Sequence, residues 1–87
     1  MKKIKLDCGA TISVDEKDLS NMELLDELVA VDEGETAALT RIFRLIMSKE
    51  DKKALYDALR EDGRVPVEKV VYALKELFDK IGESGKN

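Results

Sequence analysis

The sequence predicts an α+β domain, mainly α, in which an N-terminal β-hairpin packs on a bundle of about four helices. Apolar and polar residues alternate with period two over the first 14 positions, and the spacing changes to three and four from about residue 21. A chain of 87 residues has room for one core only, and its 44% apolar and 39% charged content places it among folded domains rather than disordered chains. The expected organisation is a single domain over residues 1–81, with the hairpin at 1–14 and helices at 21–81, followed by a flexible tail at 82–87.

In the hairpin, Ile4 and Leu6 alternate with Lys3, Lys5 and Asp7, and Ile12 and Val14 alternate with Thr11 and Ser13. Asp7-Cys8-Gly9-Ala10 lies between the two runs, and Gly9 can supply the positive φ of a tight turn. A two-stranded sheet is barely stable in water, so its apolar face must rest on helices.

Residues 15–21 read as a polar junction with at most one short turn, Ser20 or Asp18 being placed to cap the next helix. The first long helix is expected at about 21–31, burying Met22, Leu25, Leu28 and Val29. A second follows at about 36–47. It reads as the least amphipathic, since Arg41 and Arg44 form most of its polar edge. Ser48, with Asp51 three residues on, resembles a capping box and opens a third helix at about 49–61, with Leu55, Ala58 and Leu59 buried. Asp62-Gly63 stops it. Val65-Pro66 begins a fourth helix, running to about Ile81 with a stripe of Val67, Val70, Val71, Leu74, Phe78 and Ile81, widened by Leu77. Ile42 and Leu74 lie at the centres of the two strongest stripes and are expected in the core.

Charge is uneven. Residues 1–14 hold three bases and one acid, residues 15–35 one base and nine acids, and residues 36–87 eleven bases and nine acids, for a net −4. The acidic block repels a phosphate backbone and the remaining cations are interspersed with carboxylates, so nucleic-acid binding is disfavoured. A single cysteine requires no oxidising compartment, and no stretch has the apolar length of an export signal or a membrane span. The expectation is a cytoplasmic protein with no membrane association.

Catalytic chemistry is poorly provided for. There is no histidine to activate Cys8 or a serine, and no glycine-rich phosphate loop. Asp62-Gly63-Arg64-Val65 resembles the middle of a calcium loop, but placing Gly63 at the sixth position puts Ala58, Arg60 and Lys69 where carboxylates are required. The nine acids at 15–35 read as a solvated face. The expectation is no enzyme activity, no cofactor and no metal. What remains is apolar surface. Helices two and four are wide for so small a domain, which makes Phe43, Ile46, Leu77 and Phe78 the candidate partner-binding residues, with core packing as the competing reading. A second copy of the chain is one occupant for such a patch.

With these elements in order, the chain resembles the tail assembly chaperones of long-tailed bacteriophages and prophages of Gram-positive hosts. The resemblance covers nearly the whole chain. It is carried by Asn21-Met22-Glu23-Leu24-Leu25-Asp26-Glu27-Leu28, Val31-Asp32-Glu33-Gly34-Glu35, Glu61-Asp62-Gly63-Arg64-Val65-Pro66 and Gly85-Lys86-Asn87. It implies a non-enzymatic chaperone that keeps the tape measure protein soluble during tail assembly, with the tail tube protein as a further partner. It supplies no catalytic or binding motif to carry over. Members are commonly made in two lengths by ribosomal slippage, and Gly85-Lys86-Asn87 is compatible with the codons GGA AAA AAC, which contain the slippery heptamer A AAA AAC. The alternative is a structural or adaptor subunit that uses an apolar helix face permanently.

Overall fold

A computed structural model describes residues 1–84. The order of elements is β1 (Lys2–Lys5), β2 (Thr11–Val14), α1 (Glu16–Leu19), α2 (Met22–Asp32), α3 (Ala38–Ile46), α4 (Lys49–Leu59) and α5 (Val67–Ser84). The mainly helical α+β class is as expected. The junction after the hairpin is a one-turn helix, which brings the helices to five among the described residues.

The strands pair antiparallel with Ile4 opposite Ile12, and this register sends Ile4, Leu6, Ile12 and Val14 to one buried face. The turn has three residues. Leu6 N–H donates to the Ala10 carbonyl at 2.9 Å, Gly9 N–H donates to the Leu6 carbonyl at 2.9 Å, and Gly9 sits at φ +100°, where a side chain would be strained.

Helices α4 and α5 close over the hairpin, and α3 shares its core. On the β2 side, Ser48 caps α4 by accepting from Asp51 N–H at 3.1 Å, as its position in the sequence predicts. The Asp51 carboxylate does not complete a reciprocal box. It reaches across to accept the Ser13 N–H of β2 at 2.8 Å, satisfying a donor on the open edge of the sheet. On the β1 side, Glu76 of α5 accepts the Asp7 N–H at 2.8 Å and pairs with Lys80 at 2.9 Å, while Lys80 donates to the Lys5 carbonyl at 2.6 Å. Glu76 is only 12% exposed. Its covering pushes the carboxyl pKa up, but Lys80 and the Asp7 amide outweigh that and hold it below the ordinary glutamate value. Beneath these ties lies one core, in which Leu39, Ile42, Phe43 and Ile46 of α3 meet Leu55 and Leu59 of α4 and Val70, Ala73, Leu74 and Leu77 of α5. The Tyr56 ring stands edge-on to Phe43 at 6.2 Å.

Several boundaries and faces differ from the sequence expectation. Asn21, not Ser20 or Asp18, caps α2 by accepting from Glu23 N–H at 3.0 Å. The α2 helix ends in a glycine cap: Gly34, at φ +98°, donates to Val31 and Glu35 donates to Ala30, satisfying two terminal carbonyls. Short hydrogen-bonded turns over 34–38 precede α3, which therefore starts at Ala38 rather than Thr36. The α3 helix is strongly amphipathic, contrary to its reading as the least so, because Thr40, Arg41 and Arg44 gather on one side. The α4 helix stops at Leu59, before Asp62-Gly63, and Ala58 is exposed. Glu61 and Arg64 exchange backbone hydrogen bonds of 2.7 and 2.9 Å around Asp62-Gly63, a two-residue turn with both φ values positive. The last helix begins at Val67 and continues through Ser84, so 82–84 are helical rather than tail; residues 85–87 lie outside the described residues. Val67 is exposed, and the buried stripe of α5 is centred on Val70, Ala73, Leu74 and Leu77.

Ile42 and Leu74 are buried as expected. Ile42 has no accessible surface, so Ile42→Ala should lower the free energy of unfolding by about 2 to 5 kcal/mol in urea titrations. Because the Glu76 pKa is depressed in the folded state, its contribution is fully present above the unfolded value of about 4.3 and is lost as pH falls through the folded value. Glu76→Gln should therefore lower the melting temperature at neutral pH, and the gap from wild type should close in acid below about pH 4.

Candidate functional site

The α2 helix carries more apolar residues than its packing uses. Leu24 is buried and Leu28 and Val31 are half-buried, so this edge faces the core. At 100° per residue those three fall within about 60° of one another. Met22, Leu25 and Val29 form a second stripe, also spaced by three and four, and they are 64%, 51% and 49% exposed. This reverses the expectation that Met22, Leu25 and Val29 are the buried set, with only Leu28 kept on the inner side. Both stripes satisfy helical periodicity, and the position of α3 decides which one is covered.

The outer stripe does not stop at α2. Leu25 and Leu28 are about 60° apart on the helix, so the exposed apolar surface runs into the edge that Leu28 presents to α5. There a groove of about 510 Å³ separates α2 from α5, lined by Leu28, Val31, Val71, Leu74 and Phe78, with Asp32, Lys75 and Asp79 at its rim. Phe78 is half-buried and is the one residue of the sequence-predicted partner set that lines this groove. Phe43, Ile46 and Leu77 are core residues, 1%, 2% and 1% exposed, which corrects their placement on an accessible patch. Their apolar width is used inside the core that they share with Ile4, Leu6, Ile12 and Val14 of the hairpin. The missed residues are Met22, Leu25, Val29 and Leu28 in its groove-lining role. The signal available was that α2 has two apolar stripes where a surface helix needs one.

Carboxylates border the surface. Glu23 and Asp26 flank the stripe towards α3, and Asp32 flanks it towards α5; all three are exposed. Glu27 has another task. It accepts from Arg41 Nε of α3, while Arg41 Nη2 donates to Glu35 at 2.7 Å, so one guanidinium ties α2, the following loop and α3 together. Glu27 first, and Glu35 after it, hold Arg41 protonated and raise its pKa above the ordinary value. The other acids of the block are dispersed: Asp15 caps α1 by accepting from Lys17 N–H at 2.9 Å, and Glu16 pairs with Lys2 at 3.2 Å.

Cys8 is half-buried in the hairpin turn beside a cavity of about 440 Å³ whose lining includes Leu59, Tyr72 and Glu76. Among the described residues no group of three His, Cys, Asp or Glu side chains is placed to hold a metal ion. No helix among them is long and apolar enough to cross a membrane. Comparison with known protein families, with curated proteins and with solved structures found no match for this chain.

Replacing Leu25 and Val29 together by Asp should leave the circular dichroism spectrum intact and move the melting temperature by only a few degrees, because neither side chain contributes to the core. Phe43→Asp should unfold the domain in the same assay, since it buries a charge with no partner.

Proposed function

We propose that this protein is a non-enzymatic tail assembly chaperone of a long-tailed phage or prophage, working in the host cytoplasm by binding helical segments of the tape measure protein and keeping them soluble. The observation that carries the reading is the apolar surface formed by Met22, Leu25 and Val29 and continued by the α2–α5 groove. A tape measure protein is long and helical, and its apolar faces aggregate until tube subunits surround it. A helix laid on an apolar surface hides that face without any covalent step. The surface here is short, which suits transient cover by many copies along one client rather than a permanent joint. The resemblance of the chain to that family, in element order and short segments, supports the same reading.

The test is co-expression with the tape measure protein encoded nearby in the same genome. The soluble fraction of the tape measure protein should rise severalfold with the wild-type chain and fall back to the level without chaperone with Leu25→Asp/Val29→Asp. A fixed complex that persists in assembled tails would instead identify an adaptor subunit. Absence of tail genes around the coding sequence, together with no gain in solubility, would remove the chaperone reading.

A further inference from the structure

We propose that the occupant of the α2–α5 surface is an amphipathic helix whose apolar stripe is bordered by lysine or arginine, and that the α2 carboxylates select it by charge. The inference rests on the reading that this surface takes a client helix, and adds the chemistry by which one helix is preferred to another.

Shape sets the first requirement. The exposed stripe from Met22 to Val29 extends about 10 Å along α2, and Val71 to Phe78 extends about the same along α5, at 1.5 Å per residue. Each length matches two turns of a helix. The groove between them is lined by Leu28, Val31, Val71, Leu74 and Phe78. An incoming helix that presents apolar residues at positions i, i+3 or i+4, and i+7 meets this row with one face.

Charge sets the second requirement. Residues 15–35 hold nine acids and one base, and the margins of the apolar surface carry Glu23, Asp26, Asp32 and Asp79, with Lys75 on the α5 side and Arg44 beyond Glu23 and Asp26 on the α3 side; Arg41, also on that side, is taken up by Glu27 and Glu35. An acidic helix would place carboxylates against these margins and be repelled. A second copy of α2 would bring the same acids onto them, which disfavours a symmetric dimer through this face. Basic margins on the incoming helix face Asp26 on one side and Asp32 and Asp79 on the other. Asp32 also stands in the last turn of α2, where the negative end of the helix disfavours an anion. A cation brought alongside offsets both that repulsion and the repulsion among the carboxylates.

The experiment uses three fluorescent helical peptides with one leucine stripe and margins of Lys, Gln or Glu, each titrated with the full chain and followed by anisotropy. The Lys peptide should bind at least tenfold more tightly than the Glu peptide at about 0.1 M salt, and the preference should shrink at about 1 M, where screening acts over about 3 Å. Leu25→Asp/Val29→Asp should abolish binding of all three. Asp26→Lys/Asp32→Lys, with its fold checked by circular dichroism, should reverse the order in favour of the Glu peptide. Equal affinities for the three peptides, no binding of any, unchanged order in the charge-reversed variant, or binding that survives Leu25→Asp/Val29→Asp would each overturn the inference. Sedimentation showing a dimer of the free chain that Leu25→Asp/Val29→Asp breaks would overturn it in favour of a second copy. The chaperone reading fails separately, on tape measure solubility, so peptide selectivity without solubilisation leaves this inference standing, and solubilisation without selectivity leaves only the chaperone reading.

Discussion

Everything in this domain depends on covering a two-stranded sheet. Such a sheet has one apolar face to hide and two open edges, and alone it does not persist in water. The chain meets both demands with α3, α4 and α5. Their apolar residues form the lid over Ile4, Leu6, Ile12 and Val14. Their polar residues hold the edges: Asp51 takes the free donor of β2, and Glu76 and Lys80 take the backbone groups where β1 enters its turn. The domain has few large side chains, and Phe43, Ile46 and Leu77 are all needed inside.

That allocation explains why the accessible apolar surface is on α2. The helix is gripped from one side only, by the contacts of Leu24 with the core and by Arg41 bridging Glu27 and Glu35. Surface ion pairs contribute little on their own, so the grip is mainly apolar and the bridge fixes its orientation. Among the described residues, Met22, Leu25 and Val29 stay outside the core. The carboxylates around them set like charges against one another wherever two copies would stack through this face.

Much of this architecture was legible in the residues. Alternation gave the hairpin and its inward face, Gly9 its turn, Ser48 the start of α4, and the central apolar positions Ile42 and Leu74 the core. The faces of α2 were not legible, because two apolar stripes on one helix are equivalent to periodicity and only the placement of α3 separates them. The same ambiguity misled the assignment of surface. Width on α3 and α5 reads as surplus when each helix is considered alone, and becomes necessary once both must roof a sheet. Asp51 shows a related limit: its spacing from Ser48 marks a cap, but the partner of its carboxylate is a backbone donor 38 residues earlier, which no local pattern reveals.

The ties between the hairpin and α5 join residues 69 and 75 positions apart. The hairpin is synthesised before the helix that closes it. At about 5 to 20 residues per second, the ribosome leaves Ile4, Leu6, Ile12 and Val14 without their final cover for several seconds. Closure of the hairpin thus waits on synthesis of α5: a chain still lacking Glu76 and Lys80 displays its sheet edge to any neighbouring strand, whereas one that includes them withdraws it.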